Sequence, residues 1–503
     1  MSRSSKAALL GVIPLLAGWF IVCGLYRFID GDEGFYLLAS RLVLLHRVPY
    51  IDFLYVQMPL LPYVYAGWLK VFGISWVAAR MLAALLSTVL GLLIFVEVCR
   101  QTRRWQAGLA AVGLYAFCTN IFSWYPVAKT YSLSMLLLFA AYVIVARLRE
   151  GSSPWLPAAA GVLFGLSIDT RLYLVAVAPV FLWWLVGSKP PRLARGLYFI
   201  AGIVAGLLPA ILLFAAAPRR FLFNNLGYHA LRSGVGIISA WGQKARALWY
   251  AMFGLGDTGL QLTMLALAAC FFVIAVKKWR SGAAVSMIIA AVLGVVSILP
   301  TPVNSQYWCV CVPFLIMALV GAGSEYLDNP QSQTAKSRTA VLACLLAVVY
   351  FGLGAFGAWN HLVTGEYLIG VAGPKDAPNW TLPQVRSVSK MIDGLALPNE
   401  EVASFWPGYL FEAQALPFHG FENDFGRVVS DRLTAEERAR YDVISSSELE
   451  TNFAVHVPRL VVVGNQTSSG GGRAHAAIQL RHDGYELVAS PGYTLIYEYP
   501  AVR

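Results

Sequence analysis

Carboxylates are scarce in the first 359 residues, and four of them lie close together near the start of the chain. Of the 27 Asp and Glu residues in the chain, 10 precede residue 360, and these include Asp30, Asp32, Glu33 and Asp52. A positioned carboxylate can take a proton from an acceptor hydroxyl or amine. The same acids precede a helical stretch, where negative charge is favourable at the helix N-terminus. Position alone therefore leaves both a catalytic and a structural role open.

Basic side chains are expected on the same face of the protein as this acidic stretch. They are His46, Arg47, Lys129, Arg171, Arg219, Arg220, His229 and Arg232. Acids beside cations at the rim of a hydrophobic bundle suit a reaction between a water-facing acceptor and a lipid-linked phosphate, which the cations would bind. The alternative is an interfacial role: Arg171 as a snorkelling anchor, and Lys129 and Tyr307 as parts of an aromatic belt.

The elements that must position these residues are transmembrane helices. Hydrophobic residues make up 58% of the 503-residue chain, and charged residues make up 13%, about half the charged share usual in soluble domains. A soluble fold cannot hide that much apolar surface, whereas a bilayer is a natural solvent for it. Because the basic residues are scattered at helix ends, the net charge of +11 does not indicate nucleic-acid binding.

About eleven spans are predicted in all. Residues 7–26 follow a short basic start and end without a small-residue cleavage site, so we expect an uncleaved first helix. Residues 27–75, the first loop, are aromatic and moderately polar, and their helical stretches 33–46 and 58–72 are expected to lie in the membrane interface. The further predicted spans are 76–98, 106–122, 128–148, 154–168, 172–187, 196–217, 259–276, 282–299, 307–323 and 339–359.

The charges of the loops predict the orientation of the chain. Basic residues cluster in alternate loops, on the same side as the basic N-terminus, and positive loops stay in the cytoplasm. The N-terminus is therefore predicted to be cytoplasmic, and residues 360–503 are predicted to be exported. The loop residues are Arg100, Arg103, Arg104, Arg147, Arg149, Lys189, Arg192, Arg195, Lys277, Lys278, Arg280, Lys336 and Arg338.

Residues 1–359 are predicted as a transmembrane domain and residues 360–503 as a small soluble α/β domain. In the soluble domain, 459–463 and 493–499 are strand-like, 434–441 is a helix opened by a Thr cap, and 470–472 is a turn. The seven cysteines lie in or beside apolar segments, so the soluble domain would fold without disulfides. No cysteine pair has the spacing of a zinc site.

Four stretches resemble the GT-C superfamily of membrane glycosyltransferases, and most closely its protein mannosyltransferase and lipid A aminoarabinose transferase branch. They are Asp-Gly-Asp-Glu-Gly-Phe-Tyr at 30–36, Arg-Val-Pro-Tyr-Ile-Asp-Phe at 47–53 with Gln-Met-Pro-Leu at 57–60, Gly-Leu-Ser-Ile-Asp-Thr-Arg at 165–171, and Ser-Gln-Tyr-Trp to Pro-Phe at 305–314. The resemblance covers residues 1–359, and it lies in the order and spacing of the motifs rather than in any one of them.

The resemblance implies roles for individual residues. An acid of the first loop is the catalytic base in this family, which points to Asp32 with Glu33 as its neighbour. Residues that bind the donor phosphate would be Arg171 and Tyr307.

Other expected residues follow from the same resemblance. Gln57 stands where the aminoarabinose transferases have a lysine. Glutamine can hydrogen-bond a phosphate but cannot neutralise it, so Gln57 is expected to bind the donor phosphate while Lys129 or Arg232 supplies the missing charge. Asp52 and Tyr55 are expected to bind the acceptor or the sugar. No compact metal-ligand set is present, and the metal dependence stays open because divalent ions serve some relatives.

The function expected from the resemblance is that of an inverting glycosyltransferase. It would move a sugar from a polyprenyl-phosphate donor to a lipid, glycan or protein acceptor at the outer face of the inner membrane. The main alternative is a transporter or flippase of lipid-linked sugars, which should carry ionisable or broken-helix sites near the middle of the membrane. A polysaccharide polymerase or ligase is a third possibility.

Overall fold

The computed structural model describes residues 2–148, 153, 155–187, 193–233, 237–256, 258–279, 281–328, 333–366, 368, 371, 374–464 and 472–500. The chain forms two compact units, each built from three segments. The first unit comprises Met1–Gly24, Ala83–Pro209 and Val235–Val363, and the second comprises Leu25–Leu82, Ala210–Gly234 and Thr364–Arg503. Arg149, Lys189, Arg192 and Arg280 of the predicted basic loops lie outside the described residues, as do two glycines of the predicted turn, Gly470 and Gly471.

Helices dominate the described part of the chain. Those in its first half are α1 (Arg3–Tyr26), α2 (Gly31–Leu44), α3 (Leu60–Phe72), α4 (Trp76–Thr102), α5 (Trp105–Ala116), α6 (Thr119–Phe122), α7 (Thr130–Arg147), α8 (Trp155–Thr170), α9 (Ala178–Val186), α10 (Leu193–Gly206) and α11 (Leu208–Ala216). The α2 and α3 helices match the two helical stretches predicted for the first loop.

The second half of the chain contains eleven further helices among the described residues. They are α12 (Pro218–Leu222), α13 (Tyr228–Arg232), α14 (Ile237–Phe253), α15 (Gly259–Val276), α16 (Gly282–Val296), α17 (Val312–Asp328), α18 (Gln333–Trp359), α19 (Leu382–Leu395), α20 (Ala435–Tyr441), α21 (Ser446–Ala454) and α22 (Gly472–His482). Short 3-10 or π segments complete the helical structure at Leu172–Val177, Phe223–Gly227, Ser305–Cys311, Asn360–Thr364, Ala377–Trp380, Pro407–Leu410 and Asp424–Arg432.

Six helical segments among the described residues are long and apolar enough to cross a bilayer. They are Arg3–Tyr26, Trp76–Thr102, Thr130–Arg147, Gly259–Val276, Ser305–Asp328 and Ala340–Thr364. The pair α10 and α11 is bent by 53° and would count as a seventh span. The chain is thus a multi-pass membrane protein.

The other predicted spans are short or interrupted helices. Trp155–Thr170, Leu172–Val186 and Gly282–Val296 are apolar but have fewer than 18 residues, and the span predicted at 106–122 is broken between α5 and α6. A helix of 15 residues is about 22 Å long, which is less than the ~30 Å hydrocarbon core. The count of about eleven therefore stays a prediction.

A buried glutamine supports the break between α5 and α6. Gln261 of α15 donates to the carbonyls of Phe117 at 3.0 Å and Tyr350 at 2.8 Å, and its own oxygen accepts from the backbone N–H of Thr119 at 2.9 Å. Backbone groups in a bilayer must find partners inside the protein. The Gln261 side chain supplies such partners at the helix break, which lets the chain bend there.

Helices α8 and α10 of the first unit approach each other through glycines. A Cβ atom on Gly161 would lie 2.1 Å from the carbonyl oxygen of Phe199, and one on Gly202 would lie 2.1 Å from that of Ala158. Small residues spaced four apart let helix backbones pack closely in membranes. The pairs Gly161 with Gly165 and Gly202 with Gly206 therefore fix this crossing.

The second unit contains the soluble sheet predicted for the end of the chain. The strands β1 (Glu401–Ser404), β2 (Leu416–Pro417), β3 (Leu460–Val463), β4 (Glu486–Ala489) and β5 (Leu495–Glu498) lie in the order β2-β1-β3-β5-β4. The β1 strand is parallel to β2 and β3, and β5 is antiparallel to β3 and β4. As predicted, Thr434 caps α20, in a capping box with Glu437. The predicted fold class is thus confirmed: a helical membrane protein with a small α/β region at its C-terminal end.

The compact units do not follow the predicted division at residue 359. The first loop and residues 210–234 group with residues 364–503. The physical reason is a set of buried contacts between segments far apart in the sequence. The indole of Trp406 donates to the carbonyl of Gly31 at 2.8 Å, and the ring of Tyr441 stacks on Phe223 with centroids 3.9 Å apart.

We predict that Gly202→Ala destabilises the first unit by about 1–3 kcal/mol, because the added methyl group meets backbone that cannot move away easily. The measurement is the thermal unfolding midpoint of the purified protein in detergent. Gly352→Ala is the matched control, since a Cβ atom there meets nothing within 4 Å. Equal midpoints for the two variants would contradict the role assigned to the glycine crossing.

Candidate active site

The N-terminal turn of α2 carries the acids of the first loop. Asp30 is the N-cap, and its carboxylate accepts a hydrogen bond from the backbone N–H of Asp32 at 3.1 Å. The Glu33 carboxylate accepts one from the backbone N–H of Asp30 at 2.9 Å. This reciprocal capping box satisfies amides that the first turn of a helix leaves unpaired. It starts α2 at Gly31, two residues before the predicted start at residue 33.

Glu33 forms a buried ion pair with Arg80, near the start of α4. The Arg80 guanidinium donates from Nη2 to Oε1 at 2.6 Å and from Nε to Oε2 at 3.1 Å, and both side chains are 0% exposed. Arg80 also donates to the carbonyl of Arg27 at 2.6 Å. Burial acts to raise the pKa of Glu33, but attraction and hydrogen bonding from Arg80 outweigh it, so this pKa lies below its ordinary value. The Glu33 carboxylate is therefore occupied in holding α2 to α4.

Asp32 is the accessible acid of this stretch. Every other residue from 27 to 42 is buried, whereas Asp32 is partly exposed. Its two acidic neighbours are used structurally, Asp30 as the N-cap and Glu33 in the ion pair. The two residues predicted as catalytic thus differ, because only Asp32 keeps the access that a general base needs.

The predicted acceptor- or sugar-binding residues lie between α2 and α3. Asp52 is exposed, and its Oδ2 accepts from the backbone N–H of Val48 at 2.6 Å. Tyr55 is buried; its backbone N–H donates to Asn224 at 2.8 Å, and its hydroxyl has no hydrogen-bond partner among the described residues. The side chain of Gln57 is half-buried. Asp52 closes a turn and Tyr55 packs in the core, so neither is shown to bind a ligand.

The predicted phosphate-binding residues of the first unit gather at the N-terminal end of α7. Lys129 is the N-cap of α7 and is buried. The guanidinium of Arg171 donates to the hydroxyl of the next residue, Thr130, at 2.6 Å, and it lies 5.9 Å from the ring centroid of Tyr307. Three of the four predicted residues are therefore brought together, while Gln57 belongs to the second unit.

Aromatic rings fix the guanidinium of Arg171. This residue stands at the break between α8 and the 3-10 segment Leu172–Val177, in an extended conformation. Its Cζ atom lies 4.3 Å from the ring centroid of Tyr131 and 4.7 Å from that of Tyr173. Cations over aromatic faces are held by the quadrupole of the ring, so these tyrosines orient the guanidinium beside α7.

Cations at the start of α7 oppose the dipole of that helix. A helix N-terminus carries a partial positive charge, and the first turn of α7 contains no acidic residue that would offset it. Helix N-terminal amides together with arginine or lysine side chains are the groups with which proteins bind phosphate. This end of α7, with Lys129, Thr130 and Arg171, is therefore a candidate anion site.

Sequence reasoning missed several residues of these two clusters. Arg80 had a detectable signal, because a charge inside a predicted span requires a partner. Thr130 and Tyr131 had none, since their role depends on where the chain places Arg171. Arg232, expected as an alternative phosphate ligand, belongs to the second unit, where its Cζ atom lies 5.8 Å from the ring centroid of Phe425. Within the described part of the chain, no three His, Cys, Asp or Glu side chains group as metal ligands.

Comparison with known proteins supports the resemblance drawn from the motifs. A family model described as dolichyl-phosphate-mannose-protein mannosyltransferase matches residues 56–216. No curated protein matches the chain in sequence.

Solved structures match over the whole chain. ArnT from Cupriavidus metallidurans bound to undecaprenyl phosphate is 14% identical, with a TM-score of 0.63 over 100% of this chain and 99% of that one. The apo state of the same protein gives a TM-score of 0.66 at 14% identity, over 99% of both chains. The fold is thus that of ArnT, and the resemblance to the GT-C membrane glycosyltransferases is confirmed. The matched family segment includes Lys129 and Arg171 but not Asp32.

We predict that Glu33→Gln lowers the free energy of unfolding by on the order of 3 kcal/mol at pH 7, because the Arg80 guanidinium loses its buried counter-charge. The depressed pKa of Glu33 contributes stability above the unfolded value of about 4.3, and that contribution is lost as the pH falls through the lower folded-state pKa. The difference in unfolding free energy between the wild type and Glu33→Gln should therefore become smaller at acid pH.

The measurement is thermal unfolding of both proteins from pH 7 to pH 3, with Asp32→Asn as the neighbouring control. We expect Asp32→Asn to unfold like the wild type at pH 7. A Glu33→Gln protein as stable as the wild type would contradict the structural role of the pair.

Proposed function

We propose that this chain is a membrane glycosyltransferase that moves a sugar from a polyprenyl-phosphate donor to an acceptor. The observation that carries the proposal is the pair of cations at the N-terminal end of α7, where Lys129 is buried and Arg171 is bonded to Thr130. Amides at a helix N-terminus together with lysine and arginine side chains are groups that bind phosphate, and this helix is apolar enough to cross a bilayer. An anion at a membrane helix end fits the phosphate of a lipid carrier.

The known proteins that this chain resembles support the same carrier chemistry. The matching family description names a dolichyl-phosphate-linked mannose donor, and one matching ArnT structure holds undecaprenyl phosphate. Both names contain a long isoprenoid attached to phosphate. We therefore assign a polyprenyl phosphate as the leaving group and leave the sugar and the acceptor unnamed.

In the proposed reaction, Asp32 acts as the general base. Its carboxylate accepts the proton of the acceptor hydroxyl or amine while that atom forms a bond to the anomeric carbon of the sugar. The bond between the anomeric carbon and the phosphate oxygen breaks, and the electron pair stays on the phosphate. Arg171 and Lys129 stabilise the negative charge that develops there.

A single displacement of this kind inverts the anomeric carbon. Retention by double displacement, as in most retaining glycosidases, uses a second carboxylate as the nucleophile besides the acid or base. Of the three neighbouring acids, Asp30 caps the helix and Glu33 is paired with Arg80, so Asp32 is left for one role. Inversion is therefore part of the proposal.

The proposed location is the inner membrane, with the N-terminus in the cytoplasm and residues 360–503 exported. The basic loops support this orientation through the positive-inside rule. The acids of the first loop and the soluble sheet would then share the outer side. A transporter of lipid-linked sugars remains the alternative, and it differs in leaving the sugar–phosphate bond intact.

Asp32→Asn should lower turnover by about 10²–10⁴-fold, since asparagine keeps the shape but cannot accept the proton. Turnover is measured as sugar transfer from undecaprenyl-phosphate hexoses in detergent or nanodiscs. Glu436→Gln is the control, because that carboxylate lies exposed on α20 and is 81% accessible. Turnover near the wild-type level in Asp32→Asn would remove the base role from this residue.

For the phosphate site, we predict that Arg171→Ala lowers turnover by about two to three orders of magnitude, as loss of one donor to a developing oxyanion does. Arg171→Lys should restore only part of it, because lysine lacks the planar pair of donors. Binding of undecaprenyl phosphate should weaken in parallel.

Arg246→Ala, at an exposed cation on α14, serves as the control and should behave as wild type. If Arg171→Ala transfers sugar normally but inserts poorly into the membrane, the residue is an interface anchor and the phosphate assignment fails.

A further inference from the structure

The C-terminal region of the second unit contacts α2 along its length. At the N-terminal end, the indole of Trp406 donates to the carbonyl of Gly31 at 2.8 Å. One turn further, α2 and the segment Pro407–Leu410 approach so closely that a Cβ atom on Gly34 would lie 2.7 Å from the backbone nitrogen of Gly408. No side chain fits between the two backbones at this point.

Arg41 binds the C-terminal end of α2 to the same C-terminal region. Its guanidinium donates to the carbonyls of Leu410 at 2.6 Å, Ala415 at 2.8 Å and Gln414 at 3.0 Å. The side chain is buried, and none of these three partners carries a formal charge. The guanidinium is planar and rigid, so its N–H groups can bond three carbonyls only when these lie in the matching directions. It therefore ties α2 to one particular loop of the C-terminal region.

The same loop also reaches the start of α4. The Glu412 carboxylate accepts from the backbone N–H of Trp76 at 2.8 Å, and Arg386 donates to its other oxygen at 2.8 Å. Four residues after Trp76 stands Arg80, the partner of Glu33. Residues 406–415 thus contact both α2 and the first residue of α4, four residues before the partner of Glu33.

We propose that the C-terminal region is a positioning element for the catalytic acid, and that Arg41 is its main positioning residue. This inference rests on the proposed function of Asp32. Arg41 lies nine residues after Asp32 in α2, about 13 Å along the helix axis, so it acts through the helix and not on the substrate. Catalysis is sensitive to such anchoring, because misplacing a catalytic group by about 1 Å can cost about 100-fold in rate.

Arg41→Ala in the full-length protein should lower kcat by about 10–100-fold, with the KM for an undecaprenyl-phosphate hexose changed less than threefold. The affinity for undecaprenyl phosphate should also stay unchanged, because the candidate phosphate site belongs to the other unit. Arg41→Lys should recover part of the lost rate. The control is Arg440→Ala, which removes an arginine that is paired with an exposed acid of the same helix, Glu436.

Hydrogen exchange of the α2 amides separates positioning from general loss of folding. In Arg41→Ala, amides 31–44 should exchange faster than in the wild type, while those of β3 and of α7 stay protected. Gly34→Ala should have the same effect on exchange and on kcat, and the double variant should lose less rate than the two single losses multiplied together.

Unchanged exchange of α2 in Arg41→Ala would overturn the proposal, and so would faster exchange with an unchanged kcat. The proposal would also be overturned if the fraction of protein that binds undecaprenyl phosphate fell as much as the rate. The lower rate would then result from loss of folded protein. A different result is that the wild-type protein transfers sugar from none of the hexose donors, while the amides of α2 still exchange faster in Arg41→Ala than in the wild type. That result would refute the proposed function but uphold the anchoring of α2 by Arg41.

Discussion

The buried ion pair between Glu33 and Arg80 is the constraint on which the acidic turn depends. Removing two charges from water is costly, and it is offset only when they pair with good geometry and further hydrogen bonds. Arg80 meets that condition with two bonds to Glu33 and one to the carbonyl of Arg27. Removing either partner would leave the other charge buried without its counter-charge, so the pair holds α2 against α4. Asp32 stands one residue before Glu33, so the ion pair fixes the backbone that carries this partly exposed carboxylate.

The candidate phosphate site follows a different physical rule. Lys129 and Arg171 gather where the dipole of α7 already presents positive charge, and aromatic faces hold the guanidinium in place. Helix N-terminal amides together with arginine and lysine side chains are suited to binding a phosphate anion. The acidic turn of α2 and the cations at α7 thus have different roles in the proposed reaction. The rigid acid of the second unit is suited to proton transfer, and the cations of the first unit are suited to charge on a leaving phosphate.

Much of the fold could be predicted from the sequence, and the features that were not predicted have physical reasons. Hydropathy located the apolar helices, and cap residues located α20 and, within two residues, α2, because both signals are local. The interleaved units were not predicted, because the contacts of Arg41 and Trp406 join residues more than 350 positions apart. The break after α5 was also missed, since it depends on Gln261 reaching Phe117 from another helix. The motifs and the charge pattern predicted Asp32, Lys129 and Arg171 as candidate site residues, whereas the partners that position them required the fold.

The central claim is that the protein breaks the bond between a sugar and a polyprenyl phosphate. The most direct test is to reconstitute the full-length protein in liposomes containing an undecaprenyl-phosphate hexose with distinct isotopes in the hexose and the phosphate, together with a lipid extract as a source of acceptors. We predict that the two labels separate, with free undecaprenyl phosphate accumulating in step with hexose transferred to a new product. Appearance of the intact, doubly labelled lipid in the opposite leaflet, without separation of the labels for any hexose tested, would contradict the account and identify a transporter instead.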